Sequence, residues 1–306
     1  MASRWWIYQR ERFPVFAHGP IIAAFSLSAV SYSALVRGQQ HLPGWKPCLV
    51  ALLSSFLFFL QLRLADEFKD FEEDSRFRPY RAVPRGLVSL KELAWVWAGC
   101  IAIQLALALW LAPRLIVWLA LSWTYLGLMS KEFFARRWLK ARPITYMVTH
   151  MAIMPLVDFY TTACDWVPAG YVRPPHGLLW FLLVSFFNGM VVEIGRKIRS
   201  PQDEEEGVET YSFLWGRSKA VMAWLAVLAA TAVLAYVASL AIGFARPILV
   251  LLIPLFSTAT LVGAYFLQEE VPRRGKWIEV MAGVWSLLMY LSLGFVPMMF
   301  RQWAAT

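Results

Sequence analysis

Long apolar segments alternate with short polar segments along almost the whole chain. Each apolar segment is near the ~20 residues that a helix needs to cross ~30 Å of hydrocarbon. The pattern predicts nine transmembrane helices, at approximately residues 17–36, 46–65, 90–112, 114–130, 143–163, 176–195, 219–242, 246–267 and 277–299. A very tight turn around Pro113 is expected to join the third helix to the fourth.

The composition agrees with an all-α integral membrane protein. Of 306 residues, 59% are hydrophobic and 16% are charged, and the mean hydropathy is +0.53. A soluble domain is nearer ~45–50% apolar and ~25% charged. The first 16 residues lack the apolar stretch and small-residue cleavage site of a secretion signal, so no cleavable signal is expected. Cys48, Cys100 and Cys164 show neither metal nor disulfide spacing and are predicted to pack as small apolar side chains.

Lysine and arginine predict which side of the membrane each loop occupies. If the N-terminus and the loops after the even-numbered helices share one side, that side carries 23 of the 29 basic residues. Such an excess marks the cytoplasmic side, so the N-terminus and these loops are predicted to be cytoplasmic. The net charge of +9 then follows from topology and contact with anionic lipid. Nucleic-acid binding is not expected, because the basic residues follow the topology.

Topology does not explain the acidic residues. Thirteen of the 20 lie in or beside two of the predicted cytoplasmic loops, at about residues 63–89 and 193–218. We call these the first and second motif loops. The whole chain, residues 1–306, is expected to form a single transmembrane domain that contains both loops. Carboxylates that crowd together near a bilayer repel one another strongly, so they require a compensating cation.

The first motif loop contains the segment DEFKDFEED, in which Asp66, Asp70 and Asp74 are four residues apart. If the second helix continues beyond Leu64, these three side chains share one face and repel one another. Dense carboxylate oxygens suit Mg²⁺, which is typically held by one or two carboxylates together with substrate phosphates. The arginines that follow can donate to phosphate oxygens. The alternative is a solvated loop of Arg–Asp pairs.

The second motif loop has the sequence EIGRKIRSPQDEEEGVETYSFLWG and begins at Glu193. Glu193 is expected at the membrane edge, where an ionisable group is a functional candidate. The acidic run from Asp203 to Glu206 is a weaker indication, since such runs are usually solvated surface. Together with the first motif loop, it predicts the other wall of a two-sided clamp for Mg²⁺ and a diphosphate.

The first motif loop resembles the first Asp-rich motif of the UbiA superfamily of intramembrane prenyltransferases, N-D-x-x-D-x-x-x-D followed by an R-P-x-P-x-G segment. Asp66 stands at the Asn position and Glu67 at the adjacent acidic position. The remaining matches, in DEFKDFEED and RAVPRG, are Asp70, Asp74, Arg81, Pro84 and Gly86.

The second motif loop resembles the family's second motif less regularly. GVETYSFLWG matches its downstream segment and Asp203 its second Asp, whereas Arg199 falls on the first. The segment TYLGLMSKE resembles the family's loop between the fourth and fifth helices. Lys131 is the matching lysine there, and Glu132 stands where arginine is common.

The resemblance implies nine helices around a central cavity, an isoprenyl diphosphate substrate and Mg²⁺ as cofactor. It implies catalytic roles for Asp66, Asp70, Asp74 and Asp203. The implied metal ligands are Asp66, Asp70, Asp74, Glu193, Asp203 and Glu204, and the implied diphosphate-binding residues are Arg81, Lys131, Lys197 and Arg199.

The fate of the prenyl group is left open by the sequence. An aromatic or other lipophilic acceptor is one expectation, and the polar candidates for its cavity are Tyr125, Tyr146, His150 and Asn188. Polar groups inside helices can equally serve helix packing. The alternative is a UbiA-type terpene cyclase, which needs no acceptor. A transporter or lipid-binding protein is disfavoured, because the acids cluster at one interface and not at the midplane.

Overall fold

The computed structural model of the protein describes residues 3–304, and this part of the chain contains helices and no strand. The helices are α1 Arg4–Arg12, α2 Val15–Val36, α3 Trp45–Lys69, α4 Phe71–Phe77, α5 Leu90–Leu111, α6 Leu115–Ser130, α7 Arg136–Lys140, α8 Pro143–Met151, α9 Ile153–Trp166, α10 Leu178–Arg196, α11 Tyr211–Trp215, α12 Arg217–Ala241, α13 Ala245–Gln268, α14 Gly275–Leu293 and α15 Phe295–Ala304. Short 3₁₀ turns lie at Glu132–Phe134 and Pro201–Asp203.

The predicted multi-pass membrane architecture is confirmed. In the described chain, seven helical segments are long and apolar enough to cross a membrane: α2, α3, α5, α10, α12, α13 and α14 together with α15. The fourth predicted span is α6, an apolar helix of 16 residues. It follows α5 after the expected tight turn, because α5 ends at Leu111 and α6 begins at Leu115.

The fifth predicted span differs from the expected single helix. It consists of α8 and α9, which are separated at Ala152. Proline explains the break, because its ring clashes with the carbonyl four residues earlier and it has no N–H to donate. Pro155 lies four residues after Met151, the last residue of α8. The boundary between α14 and α15 has the same cause, since Pro297 lies four residues after Leu293.

The chain divides into two compact units. Of the described residues, the first contains those up to Val30 together with Pro43–Tyr146 and Leu156–Arg173, and it includes the first motif loop. The second contains Ser31–Leu42, Met147–Pro155 and the described residues from Pro174 onward, and it includes the second motif loop.

In the first unit, α3 packs against α5, and buried polar contacts tie them to α6. The Gln104 amide of α5 donates to the Ser54 carbonyl at 3.1 Å and accepts from the Trp123 indole at 2.8 Å. A capping box begins α5: the Ser89 hydroxyl accepts from the Glu92 N–H, and the Glu92 carboxylate accepts from the Ser89 N–H. These contacts fix both helices that flank the first motif loop.

In the second unit, α10 packs against α12 and α14. The backbone that leaves α10 lies directly on the start of α14, where Gly275 permits the contact. A Cβ at Gly275 would lie 2.4 Å from the Ile198 carbonyl oxygen, closer than any real Cβ contact. The approach therefore requires glycine, and it fixes the beginning of the second motif loop on α14.

Candidate functional site

The first acidic cluster lies where α3 ends. The helix stops at Lys69, and Asp70 leaves helical geometry with φ −97° and ψ 3° before α4 begins. Backbone hydrogen bonds of the α-helical type, from each N–H to the carbonyl four residues earlier, nevertheless continue across the break. The Asp70 N–H donates to the Asp66 carbonyl at 2.9 Å, and the Asp74 N–H donates to the Asp70 carbonyl at 2.8 Å. The condition set for the carboxylate ladder, a helix that continues beyond Leu64, is met as far as Lys69, and the helix breaks at Asp70.

The three aspartates of the predicted ladder differ in their partners. Asp74 is 2% exposed, and it pairs with Arg78 at 2.6 Å and with Arg81 at 2.7 Å. Asp66 is 42% exposed, and its oxygens lie 3.6 Å from the cationic groups of Arg63 and Lys69. Because Asp74 is enclosed by two arginines and Asp66 is open to solvent, the two carboxylates are not equivalent.

Asp70 is the half-buried carboxylate of this cluster, and it makes no side-chain hydrogen bond or ion pair within the described residues. Burial raises its pKa above the ordinary value; the positive charge of Lys69 opposes the rise, and the negative charges of Asp66, Asp74 and Glu73 add to it. An additional cation near Asp70 would favour its ionised form.

The donor set of this cluster fits Mg²⁺ held partly by substrate. Among residues 3–304, no group of three His, Cys, Asp or Glu side chains is arranged to hold a metal ion by itself. Asp66 and Asp70 together offer two carboxylates of the kind that bind Mg²⁺ alongside water and phosphate oxygens. The residues therefore suit an ion that arrives with a diphosphate.

The loop between α6 and α8 joins the same cluster through contacts that the sequence did not predict. Glu73 pairs with Arg136 at 3.3 Å and also with Lys140. Burial opposes ionisation of Glu73, but the hydrogen bond and charge of Lys140 and the charge of Arg136 outweigh it, so its pKa is lowered. Glu132 is buried, and its carboxylate lies 3.2 Å from Arg136 and accepts from the Tyr146 hydroxyl at 3.2 Å. The Tyr146 hydroxyl in turn accepts from Lys69 at 3.0 Å.

Lys131 directly precedes an unusual turn in this loop. Glu132, Phe133 and Phe134 have positive φ angles of 48°, 52° and 58°. Left-handed backbone is costly for residues other than glycine, and it persists only where surrounding contacts enforce it. The buried Glu132 supplies such contacts, and Lys131 is left exposed at the start of the turn.

In the second unit, Glu193 lies near the end of α10 and is buried. Its carboxylate accepts from Arg196 Nε at 2.6 Å and pairs with Lys197 at 3.0 Å. The sequence-predicted ligand and two basic residues of the same motif therefore lie together within one turn and a half of helix. Lys197 also lies over the Tyr211 ring, 5.6 Å from its centroid.

Two further acids of the second motif loop, Asp203 and Glu204, accept hydrogen bonds from other groups of the protein. Asp203 accepts from the Arg273 backbone N–H at 2.6 Å. Glu204 accepts from the Thr210 hydroxyl at 2.7 Å and from the Ser212 hydroxyl at 2.8 Å. The loop borders a charged cleft of about 620 Å³ whose lining includes Arg199, Asp203, Glu204, Arg273 and Lys276.

Comparison with known proteins identifies the family. The sequence model of the UbiA prenyltransferase family matches residues 26–287, which is most of the chain. The chain belongs to the UbiA prenyltransferase family. No curated protein sequence matches it.

Solved structures of UbiA homologues share the fold. The apo homologue from Aeropyrum pernix K1 has a TM-score of 0.65 and 16% identity, covering 88% of this chain and 96% of its own. A digeranylgeranylglyceryl phosphate synthase has a TM-score of 0.60 and 15% identity, covering 95% and 99%. The Archaeoglobus fulgidus homologue described as bound to DMAPP and Mg²⁺ has a TM-score of 0.58 and 13% identity, covering 94% and 98%.

The candidate cavity residues of this UbiA family member are distributed over several helices. Tyr125 is half-buried, with its ring 5.5 Å from that of Phe133. Tyr146 belongs to the polar network of the first unit, and His150 is buried on α8. Asn188 on α10 is 2% exposed, and both polar atoms of its amide lack a hydrogen-bond partner within the described residues.

Glu204 provides a test of loop structure in this family member. Glu204→Ala would leave the Thr210 and Ser212 hydroxyls without their shared acceptor, which costs about 1.5–3 kcal/mol for hydrogen bonds to a charged group. We expect faster cleavage by a protease within residues 200–210 in detergent. Cleavage at the rate of the parent protein would show that Glu204 does not hold the loop.

Proposed function

We propose that the protein is a Mg²⁺-dependent intramembrane prenyltransferase that ionises an isoprenyl diphosphate and transfers the prenyl group to an aromatic or other lipophilic acceptor. The observation that carries the proposal is that Asp70 is half-buried, has no ion-pair partner within the described residues, and lies close to Asp66, which is open to solvent. Membership of a prenyltransferase family and a homologue described with DMAPP and Mg²⁺ support it.

In this proposal, Asp66 and Asp70 supply the carboxylates that bind the cation of the Mg²⁺–diphosphate pair. When bound, Mg²⁺ supplies Lewis-acid neutralisation of the leaving group. Asp74, Glu193, Asp203 and Glu204 remain proposed as further acidic ligands. Three of these four have basic or backbone partners, and Glu204 has hydroxyl partners, so they would have to exchange those contacts to bind metal.

The proposed roles of the basic residues follow from the charge of the leaving group. Arg81, Lys131, Lys197 and Arg199 would bind diphosphate oxygens. As the allylic C–O bond breaks, its electron pair leaves with the diphosphate, and positive charge fixed near those oxygens stabilises the developing anion. Lys131 is the favoured candidate of the four, because it is exposed and has no counter-ion of its own in the described chain.

The prenyl cation must then meet its acceptor in a water-poor, apolar surrounding, where aromatic faces stabilise it. The acceptor attacks the cation, a new bond to the prenyl carbon forms, and the acceptor loses a proton. Asn188, Tyr125, Tyr146 and His150 are proposed to orient the acceptor. Asn188 is favoured among them, because its buried amide has unsatisfied donor and acceptor atoms. The N-terminus and both motif loops are proposed to face the cytoplasm.

A direct assay tests this function. Purified protein in detergent is given geranyl, farnesyl or geranylgeranyl diphosphate, with Mg²⁺ or with excess EDTA, and with or without a panel of phenolic and lipophilic acceptors. We expect diphosphate release that requires both Mg²⁺ and an acceptor, together with a prenylated acceptor. A cyclic hydrocarbon or terpene alcohol formed without acceptor would instead make the protein a cyclase. No release under any condition would reject both.

A further inference from the structure

The N-terminal helix α1 contacts the first motif loop through a buried ion pair. Arg12, the last residue of α1, donates from Nε to the carboxylate of Glu67, which lies 55 residues further along the chain. The Glu67 side chain is 1% exposed and that of Arg12 is 11% exposed. Charges this well removed from water depend on each other, because removing one leaves the other buried and uncompensated.

The rest of α1 is fixed to the same loop. Tyr8 belongs to a buried cluster with Leu64, Ala82, Val83, Val88 and Leu93. Arg4 pairs with Glu92 at 2.6 Å, and Glu11 pairs with Arg85 at 2.8 Å. The helix therefore holds the end of α3, the turn before Gly86 and the start of α5. The family match begins at residue 26, so α1 lies outside the matched range.

Glu67 occupies an acidic position of the family motif, yet its carboxylate is already bound. Its neighbour Asp66 is open to solvent, and Asp70 has no ion-pair partner in the described part of the chain. Two adjacent acidic positions thus differ in what they can bind. Glu67 is held by a guanidinium at a buried position, whereas Asp66 is 42% exposed with basic groups no nearer than 3.6 Å, and Asp70 has no ion-pair partner within the described residues.

We propose that Arg12 is a positioning residue for the reaction, which neutralises Glu67 and fixes the first motif loop so that Asp66 and Asp70 receive the metal–diphosphate pair. The inference rests on the proposed function. It adds to that function a role for α1, and it assigns the Glu67 carboxylate to Arg12 and not to the metal.

A double-mutant cycle on Arg12 and Glu67 tests the proposal. Arg12→Met and Glu67→Gln each leave one buried charge unpaired, and we expect each to lower kcat/KM about tenfold. The double variant buries no unpaired charge and should recover to within about threefold of the parent protein. Arg12→Lys keeps the charge but lacks the Nε–H that binds Glu67, so its kcat/KM should lie between those of Arg12→Met and the parent protein. Recovery of this kind is not expected if α1 contributes only packing.

Two further measurements decide whether Glu67 is the partner of Arg12 or a metal ligand. In the double variant, the Mg²⁺ concentration for half-maximal activity should return to within about twofold of the parent value, whereas the loss of a metal ligand would leave it raised in every variant that lacks the Glu67 carboxylate. Chymotrypsin cleavage at the aromatic residues of α1 should accelerate in both single variants and slow again in the double variant. Glu11→Gln removes only the exposed pair with Arg85 and is the matched control, expected to resist cleavage like the parent protein.

Defined results would overturn the inference. A raised Mg²⁺ requirement of Glu67→Gln that persists in the double variant, with α1 protected as in the parent protein, would make Glu67 a metal ligand. A double variant no better than Arg12→Met would remove the neutralising role. If the parent protein releases no diphosphate, the proposed function fails, and the cleavage cycle still decides whether the Arg12–Glu67 pair holds α1 on the loop.

Discussion

Asp70→Asn is expected to lower diphosphate release about 100-fold, because it removes a negative charge that holds the cation while charge develops on the leaving group. The variant should also need more Mg²⁺ for half-maximal activity. Its melting temperature in detergent should stay close to that of the parent protein, because Asp70 makes no side-chain hydrogen bond or ion pair within the described residues. Initial rates over a Mg²⁺ titration, with a melting curve of the same preparation, measure both effects.

Glu72→Gln is the matched control for Asp70→Asn. It makes the same change of charge two residues away, on an exposed side chain of α4. Its rate should stay within about twofold, because exposed charges are screened by solvent and salt. Equal rates for Asp70→Asn and the parent protein would contradict the proposed role of Asp70.

The multi-pass helical architecture was well predicted from the sequence, because a bilayer requires long apolar helices. The distribution of Lys and Arg among the loops adds a constraint on how the helices alternate across the membrane. The tight turn at Pro113 was also correct. A hydropathy window averages over single residues, however, so it missed the break at Ala152. Pro155 was the signal that indicated it.

The candidate site was predicted less completely, because the identity of an acidic residue does not reveal its partner. Glu67 pairs with Arg12 from 55 residues away, and Glu73 pairs with Lys140 from 67 residues away. Such pairs depend on how α1 and the α6–α8 loop pack, and no local pattern encodes that. Only Glu132 gave the sequence an indication of such a pair, because it is an acid within a basic loop, at a position where the family commonly has arginine.

Asp74→Asn is expected to destabilise the protein by about 3–5 kcal/mol, the range for breaking a buried ion pair by removing one partner. Asp74 is buried and holds Arg78 and Arg81 together, so the neutral amide would leave two arginines without their counter-ion. A lower thermal midpoint in detergent measures the effect. Activity should fall too, since Arg81 would lose its fixed position.

The control for Asp74→Asn is Glu73→Gln, one residue away. Glu73 also has two basic partners, but its side chain is 37% exposed, so the pair should contribute about 1 kcal/mol or less. A large loss of stability at Asp74 with a small one at Glu73 would identify Asp74 as the anchor of the two arginines. If Asp74→Asn melts like the parent protein and loses activity as Asp70→Asn does, Asp74 is instead a metal ligand. In that case its arginine partners must move away when substrate binds, because the carboxylate cannot serve both arginines and the metal with the same oxygens.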